Sequence, residues 1–277
     1  MRTLPVLLAF SLPTAALAED DGSLLNDPDA KAQVSLHGEL GFLWVAKHTV
    51  EFGESGSRID YVKEGGQDNL FAVARLSGEV ELGRHTVILL YQPLNLVTEA
   101  NARRDLTVDG LTFPEGTPIR FRYGFPFYRA SWLYDLAADD DLELALGLSL
   151  QIRNATISFQ SLDGTLFRSN RNIGPVPILK GRWRSELGDD WFAGAEVDGF
   201  WAPIRYLNGS DNDVEGAILD ASLRGGTELR SGVEVWLNLR YLGGGGVGTS
   251  NDPLAYDGGY TRNWLNTVTV TLGASVF

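Results

Sequence analysis

A membrane-crossing antiparallel β-barrel is the architecture this 277-residue sequence predicts, and three observations predict it. Apolar and polar residues alternate through segments of roughly ten residues, the signature of strands with one face in lipid and one in a lumen. Short turns alternate with long polar connections. No segment holds the roughly 18 consecutive apolar residues of a membrane helix.

The N-terminus reads as a targeting segment. Arg2 precedes the apolar stretch Leu4 to Leu12, and Ala16-Leu17-Ala18 forms a small-x-small cleavage site. This predicts a signal peptide over 1–18, with Ala16 and Ala18 as the cleavage residues. Residues 19–32 carry no strand pattern and are expected to form a disordered periplasmic tail, with the barrel over 33–277. The chain has no cysteine, which excludes a disulfide framework, a thiolate metal site, a cysteine nucleophile and a lipid-anchored N-terminus. Of the 23 basic residues Arg2 leaves with the signal peptide, so 22 face 36 acidic ones, a net charge of −14. That opposes nucleic-acid binding, which needs basic patches.

Ten strands follow in order. The first opposes Val34, Leu36, Leu40, Phe42 and Trp44 to Gln33, Ser35, His37, Glu39 and Lys47. The second opposes Leu70, Ala72, Ala74, Leu76, Val80 and Leu82 to Arg75, Ser77, Glu79 and Glu81. A third, about His85 to Leu96, carries Ile88, Leu90, Leu94 and Leu96 on one face. The fourth runs from Ile119 to Leu136, with a phase slip near Phe127-Tyr128 that predicts a bulge. The fifth is the clearest: Leu142, Leu144, Leu146, Leu148, Leu150 and Ile152 share one face and Glu143, Ala145, Gly147, Ser149, Gln151 and Arg153 the other. A helix would scatter those leucines round its axis. The sixth sets Leu179, Gly181, Trp183 and Leu187 against Lys180, Arg182, Arg184 and Glu186, and the seventh Trp191, Ala193, Ala195, Val197 and Trp201 against Glu196 and Asp198. The eighth sets Ala217, Leu219, Ala221 and Leu223 against Asp220, Ser222 and Arg224, and the ninth Val233, Val235, Leu237, Leu239 and Tyr241 against Glu234, Asn238 and Arg240. The tenth sets Val268, Val270 and Leu272 against Thr267, Thr269 and Thr271. An even count puts both ends on one side.

Short turns are expected at Gly83-Arg84, Ala137 to Asp141, Gly188 to Asp190 and Thr227 to Gly232. Long outer segments are expected at Glu51 to Asp68, Glu99 to Thr117, Gln160 to Gly174, Pro203 to Asp213 and Gly243 to Thr261. Trp132, Tyr134, Trp183 and Trp191 adjoin short turns, as an inner aromatic girdle would. The glycine run Gly243 to Gly246 lacks the lysine of a phosphate loop and is expected to be a flexible loop entry.

Phe277 ends the last strand. This resembles the C-terminal assembly signal of bacterial outer-membrane β-barrel proteins, a resemblance of class that covers nearly the whole mature chain. It implies an outer-membrane location in a Gram-negative bacterium, membrane lipids as surroundings, and recognition of Phe277 by the β-barrel assembly machinery. In that class the terminal aromatic shares the lipid-facing phase, whereas Phe277 falls in phase with Thr267, Thr269 and Thr271. A bulge near Gly273 is expected to restore the register.

The residues that could carry chemistry are few. Omptin-like proteolysis needs an Asp pair facing an Asp-His pair. Here the one outer-rim histidine is His48, with Asp211 and Asp213 as the nearest acidic candidates four connections away, so His48 is expected to be an ordinary rim residue. A serine hydrolase needs a histidine beside its serine, and neither Ser169 nor Ser210 has one near in sequence. The acidic loop Glu51, Glu54, Asp60, Glu64 and Asp68 fits no EF-hand spacing, and no metal or cofactor is expected. The lumen is richer. Its expected basic residues are Lys47, Arg75, Arg120, Arg122, Arg129, Arg153, Lys180, Arg182, Arg184, Arg224 and Arg240. Its expected acidic ones are Glu39, Glu79, Glu81, Asp135, Glu143, Glu186, Glu196, Asp198, Asp220 and Glu234. Buried charges must pair or be solvated, so a ladder of cross-lumen ion pairs is expected. The function this favours is non-enzymatic: action through outer loops, toward a ligand the sequence does not name, or a structural role in the envelope. A small-solute channel with a charged lumen is the alternative, and an outer-membrane hydrolase the third reading.

Overall fold

The computed structural model describes residues 25–26, 31–137, 139, 141–188, 190–203, 213–230, 232–250 and 255–277. Residues 1–18, expected to form a signal peptide with Ala16 and Ala18 at its cleavage site, lie outside that set, as does most of 19–30. Ten wall strands close an antiparallel barrel. They are β1 (Ala32–Phe52), β3 (Leu70–Leu82), β4 (His85–Gln92) continued by β5 (Asn95–Asn101), and β8 (Pro118–Gly124) continued by β9 (Phe127–Asp135). After these come β10 (Leu142–Ser161), β11 (Phe167–Glu186), β12 (Trp191–Pro203), β13 (Glu215–Arg230), β14 (Val233–Thr249) and β15 (Tyr260–Val276). β15 pairs with β1 and closes the wall. In the outer connections lie the short β2 (Ile59–Asp60) and the hairpin of β6 (Leu106–Val108) and β7 (Leu111–Phe113). Among the described residues no helix is long and apolar enough to cross a membrane.

Several strands are much longer than a membrane requires. β1 has 21 residues and β10 and β11 have 20 each, whereas a tilted crossing takes about 9–11. The surplus explains a change of pattern along the strands. Near the short turns the apolar residues point outward: Leu148 is 58% exposed and Leu272 66%, part of a continuous belt that only lipid accommodates. Farther out the pattern inverts. On β8 Ile119, Phe121 and Tyr123 are buried inside while Arg120 and Arg122 are exposed outside. On β10 Ala155, Ile157 and Phe159 are likewise inside. Outside this part of the wall is water, so the apolar face turns inward.

This inversion corrects several expectations. Odd-numbered residues from Ile119 to Leu133 face inward on both sides of the break at Phe125-Pro126, so the fourth strand has an interruption and no phase slip. Arg120 and Arg122 are therefore not lumenal. Arg120 forms an exposed pair with Glu99 at 2.7 Å, and Arg122 donates to Asn95. Lys47 is also outside, because a bulge between Val45 and Lys47 shifts the register of β1. The side chain of Arg153 lies outside the described set. Ile88, Leu90, Leu94 and Leu96 are buried within the barrel, and Val87 and Leu89 take the lipid side.

Two expected loops are mostly strand. β10 and β11 pair up to Gln160 and Phe167, leaving a turn over 162–166. The run Gly243 to Gly246 sits inside β14, between Leu219 to Gly216 of β13 and Asn266 to Asn263 of β15. Glycine is needed there because the backbones crowd: a Cβ on Gly245 would meet the Asn263 carbonyl at 1.8 Å. The expected bulge at Gly273 is absent too. β15 stays in unbroken register with β14 through Val276, and the Phe277 amide donates to the Gly232 carbonyl. Pro175 and Pro177 lie where the β11–β12 ladder has already ended at Leu179, so their missing donors cost no bond with β12.

Candidate functional site

The lumen has two tiers of opposite chemistry. At belt level it is filled by charge. Arg129 lies between two carboxylates, 2.9 Å from Asp198 and 3.1 Å from Asp220, and donates two further bonds to Gln151. Lys180 joins Glu196 at 2.7 Å and Asp198 at 3.1 Å. Arg240 holds Asp220 at 2.7 Å, and Arg75 stands 3.7 Å from Asp220 and 3.8 Å from Glu39. Glu39 also accepts from Asn238 and Thr271.

Toward the end with the short turns Arg182 reaches Glu79 at 2.6 Å and Glu143 at 2.7 Å, with Glu81 at 3.8 Å. Arg184 binds Glu234 at 2.6 Å and Glu186 at 2.9 Å, while Arg224 stands 3.5 Å from Glu196. Twelve of the fifteen residues in the expected ladder are thus assembled: Glu39, Arg75, Glu79, Lys180, Arg182, Arg184, Glu196, Asp198, Asp220, Arg224, Glu234 and Arg240. Arg129 belongs at the centre. Asp135 instead caps the turn before β10, accepting the Ala137 and Leu144 amides. A pocket amid these side chains, bordered by His37, Glu39, Arg75 and Glu79, has a volume of about 20 Å³. That is room for about one water.

Above the charges lies an apolar tier built by the inverted strand ends and two outer connections. Leu43, Val45, Val50 and Phe52 of β1 meet Leu94 and Leu96, Phe121 and Tyr123, and Ile157 and Phe159. Ile59 and Tyr61 enter from the first connection, and Leu106, Val108 and Phe113 from the β6–β7 hairpin. Burying each such side chain contributes about 1.5–3 kcal/mol, so the mouth is closed by a core like that of a soluble domain.

His48 is embedded in this tier, fully buried, and is not the ordinary rim residue expected. Its Nδ1 is 2.7 Å from Gln67 Oε1, and its Nε2 is 3.2 Å from Asn263 Oδ1. Tyr61 and Tyr123 pack on the ring, each with its centroid 4.6 Å away. Among the described residues its side-chain hydrogen-bond partners are the amides of Gln67 and Asn263, with the Asp60 carboxylate close enough to act on it electrostatically. The first connection is fastened at further points. Tyr61 donates its amide to the His48 carbonyl, Thr98 donates to Gly65, and Arg104 pairs with Glu64 at 2.9 Å. Glu51 and Asp60, in the acidic run of that connection, face Arg262 and Lys63. Sequence reasoning missed this cluster because Gln67, Tyr123 and Asn263 meet His48 only through barrel closure. The buried phase of the inverted strand ends was the one available signal.

Of the residues weighed for hydrolysis, Asp211 and Ser210 lie outside the described set. Asp213 accepts the Thr249 amide, and Ser169 is opposite Ser158 in the β10–β11 ladder. Among the described residues no three His, Asp or Glu side chains are grouped so as to hold a metal ion.

No protein-family model matches the chain, and no curated protein sequence matches it. Solved structures similar in fold include the outer membrane protease OmpT from Escherichia coli, 12% identical over 88% of this chain and 96% of that one, with a TM-score of 0.45. The transport unit of the autotransporter AIDA-I from Escherichia coli is 9% identical, covering 98% of this chain and 95% of that one, with a TM-score of 0.42. The toluene transporter TodX of P. putida is 10% identical over 90% of each chain, with a TM-score of 0.34. These are distant likenesses of overall shape, and the membrane assignment stands on closure and belt. The chain is an outer-membrane-type transmembrane β-barrel.

Proposed function

We propose that this protein is a closed, non-enzymatic outer-membrane barrel that acts through its outer face or as a structural component of the envelope. The observation that carries this reading is the double filling of the lumen: a paired charge network around a pocket of about 20 Å³, beneath an apolar plug. Both would have to move before a solute passed. Outside the plug the outer connections expose polar side chains, among them Arg103, Arg104 and Asp105, to whatever partner they meet. Phe277 is the proposed signal to the assembly machinery, and 1–18 the proposed signal peptide. The reading is tested in planar bilayers with purified protein. No steady conductance, or only small and rare openings, is expected, and a stable ion-selective conductance would promote the channel alternative.

A further inference from the structure

The outside of the wall changes character within a few residues above the belt. Tyr91 and Tyr128 stack there with ring centroids 4.9 Å apart, and Tyr128 lies opposite Ile152, the last apolar outward residue of β10. Such tyrosines mark the level where hydrocarbon gives way to headgroups. Beyond them the wall is polar. Asn95, Gly124, Thr156 and Arg171 lie side by side across β5, β8, β10 and β11, and Val97, Arg122, Ser158 and Ser169 form the next outward row. Arg122 donates from Nε to Asn95, and that nitrogen is 3.7 Å from where a Cβ on Gly124 would stand. Its guanidinium therefore leans down over the bare Gly124 into the lower row. Arg171 is exposed in that same row, two strands or about 10 Å from Gly124, with Thr156 between them. Arg120 has Glu99, but among the described residues neither Arg122 nor Arg171 pairs with a carboxylate.

Two guanidinium groups without a carboxylate stand out in a chain with 36 acidic residues against 23 basic ones. Their forked donors match the oxygens of a phosphate. The patch faces sideways, along the membrane, so what meets it is a neighbouring lipid of the outer leaflet. Height then selects the kind of lipid. Thr156 is four residues beyond Ile152, which at about 3.3 Å per residue and a tilt of about 40° puts it about 10 Å higher. A phospholipid headgroup layer is only about 5–7 Å thick. A headgroup of phosphate-bearing sugars reaches farther from the acyl chains and brings hydroxyls that suit Thr156, Ser158 and Ser169. We propose that Arg122 and Arg171 bind a phosphate carried on the sugar headgroup of an outer-leaflet glycolipid.

The test uses the full-length mature protein in detergent micelles, with lipid A (an acylated glucosamine disaccharide bearing two phosphates) as probe and bound lipid counted by native mass spectrometry. One lipid A per barrel is expected for wild type. Arg122→Gln/Arg171→Gln should weaken that binding by about tenfold or more. Lys63→Gln/Arg103→Gln, an equal loss of charge on the outer connections, should leave it unchanged. Heat-modifiable mobility reports that each variant is folded, and should the arginine pair not fold, Arg171→Gln alone is read in the same way. Undiminished binding in the arginine variant would overturn the proposal. So would equal binding of dephosphorylated lipid A, which would leave the acyl chains as the attachment. Equal binding of phosphatidylglycerol would overturn it too, by making the patch an ordinary headgroup contact.

Discussion

Asp220 shows how much one side chain can carry in this lumen. Its carboxylate lies 2.7 Å from Arg240, 3.1 Å from Arg129 and 3.7 Å from Arg75. Removing one partner of a buried pair costs about 3–5 kcal/mol, because the remaining charge stays desolvated. Asp220→Asn is therefore expected to lower stability by about that much in urea unfolding from vesicles. Glu99→Gln, which breaks the exposed pair with Arg120, should cost no more than about 1 kcal/mol. Equal losses would mean that the lumen is well hydrated. A second residue effect sits outside the membrane. Asp109, at the tip of the β6–β7 hairpin, has φ +46° and donates its amide to Phe52. Burial pushes its carboxyl up to about 6; Arg168 opposes the shift and Asp257 adds to it. Because the folded value is above the unfolded one, this group's contribution is fully present below about pH 4 and is lost as pH rises through about 6. Asp109→Asn should shed that dependence, so its urea midpoint should gain on wild type between pH 4 and 7. A constant gap across the range would show that Asp109 does not titrate there.

At the scale of elements, the membrane half of most strands was legible, with β4, apolar on both faces, the exception, and the outer half was much less so. Leu142 to Ile152, Val233 to Tyr241 and Val268 to Leu272 declare their lipid face because their opposite face is polar. Lys180, Arg182, Glu196, Asp198 and Asp220 follow as lumenal from the same alternation. The rule that polar means inward fails above the belt, where water lies outside and a packed core inside. Arg120 and Arg122 were misplaced for that reason, and the stretches around 160–174 and 243–261 read as loops because their polar and glycine-rich character resembles one. The glycine run gives this a test. A side chain at Gly245 would strike the Asn263 carbonyl, and one at Gly244 would come 2.5 Å from that of Ala217. Gly245→Val should therefore part β14 from β15 at their outer ends while sparing the belt. The expected result is new cleavage near residue 249 by protease added outside, with heat-modifiable mobility kept. Resistance equal to wild type would show that the strands can separate at no cost.

Taken whole, the molecule has two seals in series, and they are chemically independent. The apolar plug rests on the outer connections and inverted strand ends, whereas the charge network rests on belt-level side chains of β1, β3 and β9 to β14. A barrel of about eight strands is filled by its side chains and one of 16–18 leaves an aqueous passage. Ten strands with this many arginines stay near the filled end. The two seals should thus fail separately. Deleting residues 103–116 removes the β6–β7 hairpin and with it Leu106, Val108 and Phe113 from the plug. Planar-bilayer recordings of that variant should still show no steady conductance, since the charged tier below keeps its ion pairs across the lumen. Adding Arg129→Ser, Asp198→Ser and Asp220→Ser clears the centre of that tier, while Arg75 and Arg240 keep Glu39 and Lys180 keeps Glu196 as partners. Measurable openings are then expected, because solvated charges line what remains. Steady current from the hairpin deletion alone would mean that the ion-pair network is permeable and that the plug is the only gate.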